Sequence, residues 1–392
     1  MPYDHLLLLE RSEGLEHSFF PPRAAHKYRV RELLEGVRRA PSNEQPEREP
    51  PASKVSTPMT TSTWILLLSD LHVAADTDID TMMSTLVEDL RAGPTGGRDL
   101  AALVVAGDLT NRASNEEFER AGDLILGITD RVPGLSDKNI VVVPGNHDLD
   151  WSHPDVYRLH RGPRPKDATD AEFITQGKFT ILRDRDNYAQ SFGNFSRHVY
   201  ERLCGRPYPL DHTKQADLFD FEEHGLCFVT FNSAWNTAEH SPNDPMIVDQ
   251  AVNEALRKLD TIKGERLRIA VWHHPISGNE KIREDAFVER LRNAGVRLCL
   301  HGHIHESRTD MLGYLHPRQL YAIGTGSFGA PWQHRAESTP LLYQLIEVRE
   351  DRRSIRVHTR GRKKFGAPWE PWYEWPDPDN PGGKLPHFDV SL

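Results

Sequence analysis

Asp, Asn and His gather in five short clusters: Ser69-Asp70-Leu71-His72, Gly107-Asp108, Gly145-Asn146-His147-Asp148, His273-His274-Pro275 and Gly302-His303-Ile304-His305. Asp70 and His72 alternate, so beyond a strand both side chains can leave on the same side. Asp108 and Asn146 each follow a glycine, which lets the chain turn sharply and deliver the side chain at that point. A carboxylate such as Asp108 has two oxygens and can bridge two cations, and Asn146 offers a neutral carbonyl oxygen. The His273-His274 doublet, His303 and His305 add imidazole nitrogens. Taking one member of the doublet, the inventory is seven donors: two Asp, one Asn and four His. All are hard or borderline and none is a thiolate. Such a set suits Mn, Fe, Co or Zn, and argues against a Cys-type structural zinc or an all-oxygen calcium site. Seven donors exceed the four of a structural zinc, and two ions sharing one carboxylate account for them.

Singly, each cluster reads as a turn, a helix cap or a surface pair. Together they share a setting, because each follows a short apolar run. The runs are Trp64–Leu68, Leu100–Ala106, Ile140–Val143, Leu267–Trp272 and Val296–Leu300, with a further one at Leu226–Phe231. They are too continuous for half-exposed strands and suit buried ones. Helix-like stretches separate most of them: Asp80–Arg91, Asn115–Thr129, Val248–Ile262 and Asp285–Asn293. Strands alternating with helices predict an α/β layered fold with largely buried sheets. In open α/β sheets ligands bind beyond the carboxyl ends of strands, where all five clusters fall.

After His305 the pattern turns β-rich, with strands expected at Gln319–Ile323, Leu341–Val348 and Ser354–Thr359. Residues 1–62 read as an extension, with one amphipathic helix over His26–Ala40 and a Pro/Ser/Thr-rich linker. Residues 63–360 form the main domain, and 361–392 a Pro/Trp-rich tail. Within the domain, 151–225 reads as an insertion, irregular over Arg161–Lys178 and helical around Tyr188–Leu203. Loops and insertions on a rigid scaffold carry specificity, so substrate choice is expected there. The pentapeptide Phe328-Gly329-Ala330-Pro331-Trp332 recurs at Phe365–Trp369. Its flanks differ, so shared turn chemistry or chance is the expectation rather than a repeat architecture.

The bulk composition narrows the class. The chain has 392 residues, 38% hydrophobic and 27% charged, as a soluble globular protein does. No stretch approaches the ~18 apolar residues of a membrane helix, and the start lacks a basic region and long apolar core, so secretion is disfavoured. A net charge of −10 gives no broadly basic face for nucleic acid, although Arg158, Arg161, Arg164 and Lys166 form a local basic group. Cys204, Cys227 and Cys299 show no paired spacing and read as reduced thiols of a cytoplasmic protein. Nothing in the sequence assigns an oligomeric state.

The five clusters resemble the signature of the calcineurin-like metallophosphoesterase superfamily: D-x-H, G-D, G-N-H-D/E, a His closely followed by Pro, and G-H-x-H. The resemblance spans about Trp64 to Val348 with every block intact. It implies a four-layer α/β/β/α sandwich of two mostly buried mixed sheets flanked by helices. It implies one metal held by Asp70, His72, Asp108 and His305, and another held by Asp108, Asn146, His273 and His303, with Asp108 bridging. His273 is preferred because the family ligand usually lies two residues before the proline, with His274 as the substitute. A metal-bridging hydroxide would attack phosphorus in line. His147 would face the phosphate, stabilising charge or protonating the leaving alkoxide, and Asp148 would orient His147. The blocks Ser69-Asp70-Leu71-His72, Gly107–Arg112, Phe231-Asn232-Ser233 and His273-His274-Pro275, with the texture Gly324–Ser327, most resemble the branch similar to cyclic-nucleotide phosphodiesterases. A small phosphodiester is therefore the expected substrate. The alternatives are a nuclease and, in another class, a binding scaffold that has lost catalysis. Against the scaffold, every ligand position is filled.

Overall fold

The apolar runs become strands because continuous Val, Ile, Leu and Ala segments can bury both faces of a sheet. The computed structural model describes residues 62–392 other than 170–171, 177, 238–243, 278, 280–281, 283–284, 307, 316–317, 332–334 and 336–337. The helix expected over His26–Ala40 and the linker after it lie outside the described residues.

In the first sheet β1 (Thr63–Leu68), β2 (Ala102–Ala106) and β3 (Ile140–Val143) run parallel. β13 (Leu341–Val348) pairs antiparallel with β1, and β14 (Ser354–Arg362) antiparallel with β13. In the second sheet β8 (Leu226–Phe231), β9 (Leu267–Val271), β10 (Val296–His301) and β12 (Arg318–Gly324) are parallel. Antiparallel β7 (Ala216–Phe221) and β11 (Arg308–Leu315) close its two edges.

Alternation along the second sheet sorts its side chains. Leu226, Phe228, Ile269, Val271, Leu298 and Leu300 share one core with β1, β2 and β3. Their neighbours Cys227, Val229, Phe231, Ala270, Trp272 and Cys299 pack with α5 (Asp249–Leu259) and α6 (Asp285–Asn293). On the first sheet, α1 (Ile79–Ala92) and α2 (Asn115–Thr129) pack through Met82, Leu86, Leu90, Phe118, Leu124 and Ile125. The result is a four-layer α/β/β/α sandwich. α2 opens with a capping box: Ser114 Oγ accepts from Glu117 N (3.3 Å), while Glu117 Oε2 accepts from Ser114 N (3.3 Å) and Arg112 N (2.8 Å). That box also fixes the loop running from Asp108 to Ser114.

The stretch 151–225 differs from its sequence reading. β4 (Tyr157–His160), β5 (Phe173–Gln176) and β6 (Phe179–Arg183) form a small antiparallel sheet, of which β5 falls within Arg161–Lys178, where irregular chain was expected. Phe173-Ile174-Thr175 and Phe179-Thr180-Ile181 are β-branched and aromatic, which favours strands even in a polar setting. The helical expectation around Tyr188–Leu203 is met by α3 (Arg185–Ala189), a wide helical turn over Phe195–Tyr200 and α4 (Glu201–Cys204). The end of the stretch, β7, is not insertion at all but an edge strand of the second sheet. The Pro/Trp-rich tail adds two strands, Glu370–Pro371 and His387–Ser391, to β14.

Candidate metal centre

All five clusters lie just beyond strands β1, β2, β3, β9 and β10. Asp70 N donates to the Gly107 carbonyl (3.0 Å) and His72 N to the Asp108 carbonyl (3.0 Å), so the ends of β1 and β2 are stitched together. Gly302 N donates to the His273 carbonyl (2.9 Å), joining the ends of β9 and β10. His303 N crosses to the other sheet and donates to Asp70 Oδ2 (3.0 Å). Five of the seven candidate ligands sit in the left-handed backbone region: Asp70 (φ 53°), His72 (45°), Asp108 (54°), His303 (73°) and His305 (55°). Each costs about 1–2 kcal/mol against the right-handed alternative. Strain of this kind persists where the surroundings over-determine it, and it clusters at functional sites. Gly107 (φ 89°) has no room for a side chain, since a Cβ there would lie 2.5 Å from His273 Nδ1.

The seven side chains meet around Asp108. His273 Nε2 lies 3.2 Å from Asp108 Oδ2 and His72 Nε2 lies 3.9 Å from the same oxygen. His305 Nε2 is 3.1 Å from Asp70 Oδ1, and His303 Nδ1 is 3.1 Å from Asn146 Oδ1 and 3.3 Å from His273 Nε2. Compact groupings are Asp70/His72/His305, Asp70/Asp108/His273, His72/Asp108/His147 and His273/His274/His303.

The chemistry of these contacts fits cations. His273 Nδ1 is 2.7 Å from the Ala106 carbonyl, which can only accept, so Nδ1 carries a hydrogen. In the neutral ring, the Nε2 lone pair then faces the Asp108 carboxylate. Two acceptors at that distance need a proton or a metal ion between them. Protons alone would do it by raising His273 to about 9, where burial opposes the charge and Asp108 overcomes it. His72 and His303 are both pushed down to about 4, chiefly by burial. They are thus neutral imidazoles near pH 7, the form that binds metals. Burial works to raise Asp70 and Asp108, but the surrounding imidazoles hold both carboxyls below their usual range.

His147 and Asp148 part company. His147 N donates to Asp108 Oδ1 (2.8 Å), its Nδ1 lies 3.0 Å from the Asn111 carbonyl, and its ring stands edge-on to His72 at 4.7 Å. Asp148 was expected to orient that ring. Instead it is fully buried and accepts from the backbone N–H of Leu109 (3.1 Å), Thr110 (3.0 Å) and Gly145 (2.9 Å). Burial and the Asp108 charge push it up to about 6 against those donors. The Asn111 carbonyl takes the expected place beside His147, and Asp148 braces the β2 and β3 turns against each other. In the doublet, His273 faces Asp108, while His274 Nδ1 lies 2.9 Å from Ser233 Oγ. Sequence reasoning missed three supporting groups. Ser69 Oγ, 2.6 Å from Asp70 Oδ2, and Ser233 flank ligand clusters and were open to notice. Asn111 acts through a backbone carbonyl, which no side-chain pattern reveals.

Two cavities adjoin the centre. One of about 320 Å³ is lined by Asn146, His147, Arg112 and Trp151. The other, of about 1070 Å³, opens beside His72 and extends to Gly329–Pro331 and Lys363–Phe365. Asn111 lines both. The larger cavity takes its walls from the turn after β1 and from the chain after β12 and β14 rather than from 151–225.

The sequence model of a family described as calcineurin-like phosphoesterase matches residues 63–307. An uncharacterized metallophosphoesterase-like protein of Bacillus subtilis (strain 168), YydB, is 24% identical over 271 residues, 67% of this chain and 53% of its own. Purple acid phosphatase PPD1 from yellow lupin (Lupinus luteus) seeds superposes with a TM-score of 0.51 at 11% identity, over 85% of this chain and 54% of the phosphatase. The latter similarity is one of fold. The chain spans about half the length of each of these two proteins.

Proposed function

Since the chain belongs to the calcineurin-like phosphoesterase family, we propose that it hydrolyses a small phosphodiester, such as a cyclic nucleotide, using two divalent transition-metal ions. The observation that carries this reading is the sharing of Asp108 between two donor sets. Asp108 Oδ2 is approached by His72, which groups with Asp70 and His305, and by His273, which lies beside His303 and through it Asn146. When bound, such a metal pair supplies positive charge for the phosphoryl oxygens and lowers the pKa of water toward neutrality. Asp108 holds the two sets together, and Asp148 keeps the turns bearing Asp108 and Asn146 in register. His147 hands a proton to the departing alkoxide or donates a hydrogen bond to the phosphoryl group. The choice of a diester rests on the blocks Gly107–Arg112, Phe231–Ser233 and His273–Pro275. A cytoplasmic setting is supported by three free cysteines, of which Cys227 and Cys299 are buried. Among the described residues no helix is long and apolar enough to cross a membrane.

The test is metal content and turnover on one preparation. After loading with Mn²⁺ the chain is expected to retain about two equivalents and to cleave bis(p-nitrophenyl) phosphate together with a cyclic nucleotide or a glycerophosphodiester. Asp108→Ala removes the shared carboxylate and is expected to lose metal and activity together. Cleavage of single-stranded DNA alone would replace the small-diester reading with a nuclease. Retention of less than about half an equivalent by the unmodified chain would favour a non-catalytic scaffold.

A further inference from the structure

We propose that the larger cavity seats the second arm of a linear diester, and that this arm carries a negative charge of its own, as a terminal phosphate does. The proposal rests on the phosphodiesterase reading above and chooses among its substrates. A phosphoryl group at the centre has two ways out, because Asn111 lies on the boundary of both cavities. The smaller, with Trp151 and Arg112, suits a planar group. The larger, at about 1070 Å³, reaches the upper end of the roughly 300–1,000 Å³ usual for small-molecule sites. A cyclic nucleotide closes both ester oxygens on one sugar and leaves most of that space empty.

The walls of the larger cavity identify the charge. Lys363 and Lys364 line it, and neither ammonium group makes an ion pair or hydrogen bond among the described residues. Arg335 is held beside them by the Ala330 carbonyl (Nε, 3.1 Å) and the Thr339 carbonyl. Two carboxylates also line the cavity, Asp76 and Asp78, but Asp78 is committed to capping α1 through Thr81 N (3.0 Å) and Thr81 Oγ1 (2.7 Å). Behind the wall, Arg362 is 1% exposed, and its Nε and Nη2 have no hydrogen-bond partner. Its guanidinium lies 4.2 Å from the Trp369 ring and 5.2 Å from that of Phe365, and no carboxylate neutralises it among the described residues. Phe365 lines the cavity and is 46% exposed, giving a planar group an aromatic face below a cationic rim. Three cationic side chains against two carboxylates on an open, partly aromatic wall favour an anionic, partly planar arm.

Two chromogenic esters differ by the one anionic group at issue. Thymidine 3′-phosphate 5′-(p-nitrophenyl phosphate) carries a second phosphate that thymidine 5′-(p-nitrophenyl phosphate) lacks. The Mn²⁺-loaded full chain is expected to cleave the first with a kcat/KM about tenfold higher, expressed in KM, with a margin that shrinks as salt is raised. In the Lys363→Ala/Lys364→Ala double variant the ratio should fall toward one. Calorimetry supplies a readout without turnover: thymidine 3′,5′-bisphosphate should bind about tenfold tighter than thymidine 5′-monophosphate, and the double variant should lose that margin. Equal values for the two esters in the unmodified chain, or a margin that survives the double variant, overturn the proposal and leave the phosphodiesterase reading intact. Failure to cleave either ester and bis(p-nitrophenyl) phosphate overturns both.

Discussion

His147 is the residue of the five clusters that the ligand inventory does not need, and its geometry separates holding from reacting. It contributes to Asp108 through its backbone N–H, at 2.8 Å from Oδ1, and an alanine at this position retains that donor. Its Nδ1 is turned to the Asn111 carbonyl, so Nε2 is the ring atom that can donate toward the phosphoryl group. His147→Ala is therefore expected to keep the metal content of the unmodified chain while kcat falls ~10²-fold or more, the range for a lost acid or charge-stabilising donor. Metal analysis and steady-state turnover of the same sample check both halves. Undiminished kcat would remove His147 from the chemistry, and parallel loss of metal would make it a ligand. Asp148, its neighbour, shows why adjacency misleads: its carboxylate turns away to three backbone N–H groups of the β2 and β3 turns.

Those strand-end turns carry the site, and Gly145 shows how little slack they have. A Cβ at Gly145 would lie 2.1 Å from Asp108 Oδ1 and 2.4 Å from Asp108 N, so the β3 turn would have to retreat from β2. Gly145→Ala is expected to cost about 1–3 kcal/mol of stability, the range for overpacking, and to lower metal occupancy as Asp108 and Asn146 separate. Calorimetric unfolding and metal titration measure the two effects; unchanged metal affinity would mean the turn is looser than its contacts indicate. Much of this layer was legible beforehand. Ile140–Val143, Leu226–Phe231, Leu341–Val348, Asn115–Thr129 and Asp285–Asn293 all form over the expected residues, because long apolar runs and a full helical face leave few alternatives. β7 was not legible, since Ala216-Asp217-Leu218-Phe219-Asp220-Phe221 alternates as an exposed edge does and lies in an otherwise irregular stretch. The convergence of Asp70, His72, Asp108, Asn146, His273, His303 and His305 followed from their places at strand ends. The left-handed backbone at five of those residues did not, because only tertiary contacts impose it.

The C-terminal chain binds the sandwich to the larger cavity, and the duplicated pentapeptide is where they meet. Phe328 of the first copy stacks on Trp369 of the second, with ring centroids 5.2 Å apart and planes at 10°. Tyr343 of β13 meets Trp369 edge-on at 4.9 Å, and the Arg362 guanidinium lies over it at 4.2 Å. The two copies are thus halves of one aromatic contact rather than two uses of one turn. Tyr343 and Arg360 both also reach Asp89 on α1, so the tail, the first sheet and the outer helix share this buried corner. Trp369 is 5% exposed, and Trp369→Ala is expected to cost about 3–5 kcal/mol, the range for emptying a buried aromatic position. Arg362 would lose its stacking surface, which adds to the cost because the cation is buried without a carboxylate. Denaturant unfolding of the metal-loaded protein, followed by tryptophan fluorescence and far-ultraviolet circular dichroism, gives the midpoint shift. Phe328 N also donates to the Ser69 carbonyl (3.0 Å) and Gly329 N to the Asp70 carbonyl (3.1 Å), so the metal content of the variant reports how far the loss reaches toward Asp70. An unchanged midpoint would mean that the tail rests on the sheet without contributing to its core. Lys363, Lys364 and Phe365 would then hang from β14 alone, too loosely held to form one wall of a selective cavity.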